Sequence, residues 1–200
     1  MRTFASFETS GGLARLKELT IADVPSIVDY WLSMSDEALT AMGADRRRVG
    51  SHDEIHHRFS TAIPSGDPDQ TNFAFGITLD DRVVGYTLLN RHSAEVNYCH
   101  LHIIVPALRG QGLSTALYPH RIQACFDVAP ISRLIHQTRT HNVAVNRMLD
   151  KFVPISETIL IEKPDGVGSP GEFHRRYVRR EDIPAIFARA AQLGIISHRP

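Results

Sequence analysis

The chain has 200 residues, 42% of them hydrophobic, and its 22 basic side chains balance 22 acidic ones. This size and composition predict one domain spanning residues 1–200. A net charge of zero gives no overall field for nucleic acid or an anionic membrane, so neither is expected as a partner. Residues 1–12 lack the apolar region of a signal peptide, and no apolar run reaches the roughly 20 residues that span a bilayer. We therefore expect a soluble, cytoplasmic protein.

The first part of the chain predicts a strand followed by two helices. Residues 13–19 favour a strand, and residues 20–34 follow with capping-box spacing and a continuous apolar helical face. A second capping box begins another helix at Ser51. Residues 35–50, between the two helices, show no sustained period and are typical of a connection or a broken helix at the surface.

Strands and helices then alternate to the end of the chain. The predicted strands are 73–79, 82–90, 97–105, 133–140, 156–162 and 172–178, and the predicted helices are 110–128, 142–152 and 181–193. Together these elements predict a mixed α/β domain, in which a mostly antiparallel sheet of about seven strands carries helices on both faces. In such a sheet a ligand is expected where a strand leads into a helix.

The junction that follows strand 97–105 is rich in glycine. Gly110 and Gly112, within the segment Arg109–Ser114, allow a close backbone approach, and the next helix directs unpaired N–H groups at whatever lies above them. The helix dipole and the Arg109 charge would both attract a pyrophosphate. An ordinary strand-to-helix turn also uses glycine, so the spacing alone leaves a phosphate site and a plain turn as equal alternatives.

The segment VPALRGQGLSTAL, residues 105–117, resembles the acyl-CoA pyrophosphate loop of the GNAT N-acetyltransferase superfamily. That loop has the pattern Arg/Gln-x-x-Gly-x-Gly/Ala and follows a strand and a proline. Pro106, Arg109 and Gly112 match the pattern, while Ser114 stands where the family has its last small residue. The order of the predicted elements is also that of the family.

A second segment, TRTHNVAVNRMLDKF, is similar to the family's segment in which an asparagine contacts the cofactor. Asn142 is the first candidate for that asparagine and Asn146 the second. The resemblance thus implies a set of residues that hold the cofactor. They are Ile104, Val105, Arg109, Gly110, Gln111, Gly112, Leu113, Ser114, Asn142 and Asn146.

Strand alternation places Tyr98, His100 and His102 on one face of strand 97–105. Attack of an amine on a thioester needs a neutral nucleophile, so a base within reach helps. The family often carries its base on this face, and the resemblance implies that role for His100 or His102. The alternative is that both are polar core groups hydrogen-bonded to their neighbours. The leaving thiolate needs a proton, and Tyr98 and Tyr118 are candidates to donate it.

The resemblance implies an N-acyltransferase. It would transfer the acetyl group of acetyl-CoA, or another acyl group from acyl-CoA, to an amine of a small molecule by direct attack and without a metal. A non-catalytic module that binds or senses acyl-CoA is the alternative. The protein is expected to be a monomer or a homodimer, and the sequence does not identify the acceptor.

A zinc hydrolase is a less favoured alternative, because His52 and His56 lie four residues apart on a predicted helix and so have metal-ligand spacing. The metalloprotease pattern requires Glu directly after the first histidine, where this chain has Asp53, and no third ligand motif follows. These histidines are better interpreted as a solvated or substrate-facing edge of the helix.

Overall fold

Eight strands form one mixed sheet in the computed structural model, which describes residues 1–9, 11–67 and 69–195. The strands are β1 (Thr3–Thr9), β2 (Gly12–Glu18), β3 (Phe73–Leu79), β4 (Arg82–Ser93), β5 (Val96–Ile103), β6 (Arg133–Arg139), β7 (Glu157–Ile161) and β8 (Gly171–Arg179). They lie in the order β1-β2-β3-β4-β5-β6-β8-β7, and only β5 and β6 are parallel neighbours. This mostly antiparallel mixed sheet confirms the predicted fold class.

Helices cover both faces of the sheet. They are α1 (Val24–Ser33), α2 (Asp36–Met42), α3 (Arg46–Val49), α4 (His52–Ser60), α5 (Leu113–Val128), α6 (Val143–Leu149) and α7 (Ile183–Gln192). On one face α1 to α4 pack on Ala74, Tyr86 and Leu88, and on the other α5 to α7 share a core with Phe75 and Leu89. Adjacent residues of the inner strands thus enter different cores. No helix in the described residues is long and apolar enough to cross a membrane.

The N-terminal strand β1 is the main element that the sequence pattern did not indicate. Its apolar residues Phe4 and Phe7 lie three positions apart instead of alternating, so they show no strand period. The strand forms because it pairs with β2 at the edge of the sheet. Residues 35–50 form the short helices α2 and α3, whose N-termini are capped by the side chains of Ser35 and Asp45.

The helix after the glycine-rich junction is long despite a proline in its interior. Pro119 lacks the N–H that an α-helix uses at such a position, yet α5 continues to Val128. Its buried side chains, among them Leu117, Tyr118 and Ile122, lie within the core on this face of the sheet. Tertiary packing therefore offsets the missing hydrogen bond, and the helix keeps its N-terminus at the junction.

Candidate active site

A gap opens in the middle of the sheet between the parallel neighbours β5 and β6. Residues 96–98 pair with residues 133–135, and the described structure contains no further pair between the two strands. Both strands continue, β5 to Ile103 and β6 to Arg139, so their backbones separate beyond Tyr98. The carboxyl ends of neighbouring parallel strands are where ligands bind in open α/β sheets.

The side chain of His136 bridges the two strands at the base of this gap. Its Nδ1 donates to the main-chain oxygen of Cys99 at 3.3 Å, and the Tyr118 hydroxyl lies 3.1 Å from its Nε2. Burial lowers the pKa of His136 to about 3, and the nearby Arg121 charge adds to the decrease. The imidazole is therefore neutral at pH 7, and its Nε2 accepts a hydrogen bond from the Tyr118 hydroxyl. The Tyr118 hydroxyl, one candidate proton donor, is thus used inside the core.

The glycine-rich loop has the backbone conformation that a phosphate site needs. Gly110 and Gly112 have φ angles of +76° and +85°, in the left-handed region that favours glycine. A Cβ at either position would meet nothing within 4 Å, so the space above the loop is open. α5 begins at Leu113, and the first N–H groups of a helix have no intrahelical acceptor. These donors and the helix dipole favour an anion at this point.

Asn146, the second candidate for the cofactor asparagine, is fully engaged within the protein. It is 8% exposed, and its Oδ1 accepts from Thr138 Oγ1 at 2.6 Å and from Arg176 Nη1 at 3.0 Å. Its Nδ2 donates to the main-chain oxygens of Arg139 at 2.9 Å and Thr140 at 3.2 Å. A primary amide has two donors and two acceptor positions, so this side chain has no hydrogen-bonding capacity left for a ligand.

Asn142, the first candidate, is placed differently. It is half-buried and caps the N-terminus of α6, where its Oδ1 accepts from Val145 N at 3.4 Å. Its Nδ2 has no hydrogen-bond partner among the described residues. Of the two asparagines, only Asn142 can therefore donate a hydrogen bond to a bound molecule without breaking one of its own.

His100 and His102 line one cleft on the α1 to α4 side of the sheet. Their partners on β4 are Leu88 and Tyr86 respectively. The cleft encloses about 190 Å³ and is also bounded by α1, α2, α4 and the loop between β7 and β8. Cys99, which directly precedes His100, lies on the opposite face of β5 and belongs to the core under α5. The cleft therefore holds both imidazoles and no cysteine among its described lining residues.

Aromatic side chains surround the imidazole of His102. The Tyr86 ring stacks on it with centroids 4.9 Å apart, and the Trp31 ring lies at 5.2 Å. The Tyr30 hydroxyl is 3.2 Å from His102 Nδ1. His100 makes no side-chain hydrogen bond in the described structure, and its nearest aromatic contact is Tyr98, whose centroid is 6.2 Å away. The two histidines thus share a cleft but differ in how firmly they are held.

Burial makes both histidines weak bases in the free protein. It lowers the pKa of His100 to about 4, and the Arg121 charge contributes. It lowers the pKa of His102 to about 3, with further contributions from His100 and Arg109. Both imidazoles are therefore neutral at pH 7, and each carries its proton on one ring nitrogen and a lone pair on the other.

Tyr98 lies at the start of the gap and remains half-buried. Burial raises its pKa, so the phenol keeps its proton at neutral pH. Its oxygen accepts a hydrogen bond from Arg175 Nη2 at 3.4 Å, which leaves the phenol proton free to be donated. Of the two tyrosines considered from the sequence, Tyr98 is the one whose hydroxyl proton is not used by a core histidine.

The loop between β7 and β8 forms one wall of the cleft. A bridge of one residue pair joins Ala44 to Gly168, and Asp45 N donates to Val167 O at 2.8 Å. These bonds fasten the loop to the connection between α2 and α3. Asp165, on the same loop, is the only carboxylate among the described lining residues.

Arg58 of α4 supplies a positive charge to the cleft wall, whereas Asp165 supplies a negative one from the loop. The sequence pattern indicated neither residue, nor did it indicate the ring contacts of Tyr30 and Tyr86. These residues come from segments far apart in the chain, and none lies in a recognisable motif. Trp31 and Phe59, which also line the cleft, carried a local signal as part of the apolar faces of predicted helices.

The histidines of the zinc alternative do not form a cluster. The rings of His52 and His56 stack with centroids 6.2 Å apart on the outside of α4. His52 Nδ1 lies 3.0 Å from Asp53 Oδ1, and His56 Nδ1 lies 3.3 Å from Ser60 Oγ. Across the described ranges, no group of three or more potential ligands converges on one point. The arrangement is that of a solvated helix edge.

Solved structures of several acetyltransferases have this fold. RimJ from Mycobacterium smegmatis, in complex with CoA-disulfide, has a TM-score of 0.72 and 15% identity, covering 97% of this chain and 98% of that one. The ribosomal-protein-S5-alanine acetyltransferase from Vibrio fischeri has a TM-score of 0.68 and 12% identity, covering 89% and 98%. The spermidine N-acetyltransferase from Vibrio cholerae, in complex with CoA and spermine, has a TM-score of 0.66 and 13% identity, covering 86% and 98%.

No curated protein matches this chain in sequence. A family model for the acetyltransferase (GNAT) domain, however, matches residues 14–152. That range contains the gap between β5 and β6, the glycine-rich loop and the histidine face, and it confirms the resemblance inferred from the sequence. The chain belongs to the GNAT acetyltransferase family.

Proposed function

We propose that this protein transfers an acetyl group from acetyl-CoA, or a related acyl group from acyl-CoA, to an amine of a small molecule. The observation that carries the proposal is the coincidence of three features at one sheet position. Within the family fold, the gap between β5 and β6 lies beside an open, left-handed glycine loop and a cleft lined by two neutral histidines. A site for an activated thioester and a site for a nucleophile therefore adjoin each other.

The glycine-rich loop would hold the pyrophosphate of the co-substrate. Its donors are the main-chain N–H groups of Gly110, Gln111, Gly112, Leu113 and Ser114, and the open space above the two glycines lets an anion come close. Arg109, which is exposed, adds a positive charge. The backbone of Ile104 and Val105 continues β5 toward the loop and would support the pantetheine arm, while the Asn142 amide would donate to it.

His100 is the proposed base. The attacking nitrogen becomes positively charged when it bonds to the thioester carbonyl carbon, and such an ammonium is much more acidic than a free alkylammonium. An imidazole with a pKa of about 4 can accept a proton from it, although it could not deprotonate a free amine efficiently. The C–S bond then breaks, and the Tyr98 phenol is the proposed donor to the leaving thiolate.

Direct attack is favoured over a covalent enzyme intermediate. A thiol relay would need a cysteine in the cleft, next to a base. Cys99 is buried on the opposite face of β5, where its Sγ lies 3.8 Å from Cys125 Sγ. Both thiols are thus separated from the histidine face by the sheet itself.

The cleft favours a compact acceptor. Its volume of about 190 Å³ is below the roughly 300–1,000 Å³ of sites for drug-sized ligands, so it suits a small amine or the amine end of a longer molecule. Asp165 would attract a cationic amine from the loop side. Among proteins of this fold, one acts on spermidine and another is named for a ribosomal protein, so acceptors of both kinds occur.

A non-catalytic acyl-CoA-binding module is the second candidate. The weak basicity of His100 and His102 in the free protein is the observation that favours it. In such a module the loop would bind acyl-CoA while the cleft held no reacting amine. The two candidates agree on the loop and differ on turnover.

The deciding experiment incubates the protein with acetyl-CoA and a panel of acceptors. The panel contains polyamines, aminoglycosides, amino-acid amides and short peptides, and the readouts are release of the CoA thiol and the mass of each product. The proposed function requires thiol release that depends on a small amine, together with a product that has gained one acetyl group. Tight binding of acetyl-CoA without turnover of any amine would favour the binding module, and acetylation of peptides alone would contradict the proposed acceptor class.

A further inference from the structure

The hydrogen bond between Tyr30 and His102 determines which ring nitrogen of His102 carries the proton. The Tyr30 hydroxyl has two potential acceptors, His102 Nδ1 at 3.2 Å and Met42 Sδ at 3.5 Å. A phenol has one proton, and a thioether sulfur is a weak acceptor compared with an imidazole nitrogen. Burial raises the pKa of Tyr30, so the phenol remains protonated. Tyr30 therefore donates to Nδ1.

A neutral imidazole carries its single proton on one of its two nitrogens. With the Nδ1 lone pair occupied by Tyr30, the His102 proton lies on Nε2. His102 thus offers the cleft an N–H donor and has no free lone pair. To act as a base at Nε2, it would have to move its proton to Nδ1, and Tyr30 would have to turn its hydroxyl toward the Met42 sulfur.

The packing around His102 keeps the ring in this orientation. Tyr86 stacks on it with an angle of 11° between the ring planes, and the Tyr86 hydroxyl in turn accepts from Trp31 Nε1 at 2.9 Å. Tyr30 contacts the Trp31 ring edge-on, with centroids 5.7 Å apart. Each ring is therefore fixed by another. The charges that act on His102 are those of Arg109 and of His100 when it is protonated. Both are positive, so both disfavour an imidazolium at His102.

We propose that His102 is a hydrogen-bond donor in the acyl transfer and that Tyr30 is the positioning residue that sets its tautomer. This inference rests on the proposed function and divides the work of the two histidines. As the amine attacks, the carbonyl electron pair moves to the thioester oxygen, and His102 Nε2–H stabilises that charge without giving up its proton. The amine proton goes to His100, the electron pair returns as the C–S bond breaks, and the thiolate is protonated by Tyr98.

The tautomer can be measured without any substrate. In protein labelled with ¹⁵N in histidine, the two ring nitrogens of His102, assigned by comparison with His102→Gln, should show the proton on Nε2 at pH 7. Tyr30→Phe should shift the population toward the Nδ1–H form, whereas Met42→Leu should leave it unchanged. An Nδ1–H tautomer in the wild type, or a change caused by Met42→Leu, would overturn the assignment.

Kinetics then separate a donor from a base. Gln can donate a hydrogen bond but cannot accept a proton, so His102→Gln should retain kcat within about tenfold, while His102→Leu should lose about 10²- to 10³-fold, the usual effect of removing one oxyanion donor. Tyr30→Phe should lower kcat several-fold and leave KM for acetyl-CoA unchanged. The pH profile of His102→Gln should keep the shape of the wild-type profile.

The failure of this inference can be distinguished from failure of the proposed function. Equal losses in His102→Gln and His102→Leu, with an active wild type, would show that a hydrogen-bond donor at this position makes no difference and would reject the inference while the proposed acyl transfer stands. A wild type that binds acetyl-CoA and acetylates no amine would reject the proposed function, and the donor role would fall with it.

Discussion

The Nε of Arg109 donates a hydrogen bond to the main-chain oxygen of Ile103 at 3.0 Å. The residue that begins the glycine-rich loop is thereby tied to the last residue of β5, the strand that carries both histidines. Arg109 also contributes to the low pKa of His102. The proposed pyrophosphate site and the cleft are consequently connected through one side chain, by a hydrogen bond and by charge.

Replacing this arginine should therefore affect both sites. Arg109→Gln removes the charge, so we expect about tenfold weaker acyl-CoA binding by calorimetry and a higher pKa of His102 by NMR titration. Arg91→Gln, at an exposed position near the far end of β4, is the matched control and should change neither. Unchanged affinity and unchanged pKa in Arg109→Gln would show that the loop does not depend on this residue.

The variant Gly112→Val tests whether the loop is a phosphate site. Val at φ +85° should cost roughly 1–2 kcal/mol of stability and should also weaken acyl-CoA binding more than tenfold, because its side chain occupies the open space above the loop. Gly194→Val is the control for backbone strain, since Gly194 has a φ of +65° and equally open surroundings. Equal acyl-CoA affinity in the two variants, measured by calorimetry beside thermal unfolding, would reject the loop assignment.

The two asparagines should respond to substitution in different ways. Asn142→Ala removes a helix cap worth about 1 kcal/mol and the free amide, so acyl-CoA affinity should fall while the fold remains. Asn146→Ala removes one acceptor from the fully buried Arg176 and should instead lower the melting temperature strongly. Binding measured below both melting temperatures should be weaker in Asn142→Ala. Weaker binding only in Asn146→Ala would mean that the cofactor asparagine is Asn146.

The buried histidines predict that stability falls with acid. The folded pKa of His136 is about 3, below the ordinary value of about 6.5, so between these values the unfolded chain binds more protons. The free energy of unfolding therefore rises with pH across that window. This contribution to stability is lost as the pH falls through the same window. His136→Gln, which keeps a donor and an acceptor, should lower stability at pH 7 yet reduce this pH dependence, as measured by denaturant unfolding at several pH values. An unchanged slope would show that His136 is not the source.

The glycine-rich loop and the histidine face could be predicted because each depends on neighbouring residues. Alternation alone puts His100 and His102 on one side of β5, and the spacing of Gly110 and Gly112 indicates a turn that allows close backbone approach. In a mixed sheet a ligand is expected where a strand leads into a helix, and the loop lies at such a junction. These features need no knowledge of which distant segment packs against them.

The parts that escaped prediction depend on distant contacts. The Tyr30 hydroxyl reaches His102 across 72 positions of sequence, and nothing near either residue indicates the pairing. Asn146 lies within the motif of the cofactor asparagine, but its side chain makes four hydrogen bonds inside the protein. No local pattern indicates that Arg176 is completely buried, where it pairs with Asp150 at 2.6 Å.

The rate of N-acetyl product formation by His100→Gln, relative to wild type across pH, tests the central claim most directly. With saturating acetyl-CoA and an accepted amine, loss of a positioned base should cost about 10²- to 10⁴-fold at pH 7. The deficit should shrink as pH rises, because hydroxide then removes the amine proton without the imidazole, and acyl-CoA affinity should stay the same. Full activity of His100→Gln with the pH profile of the wild type would contradict the account.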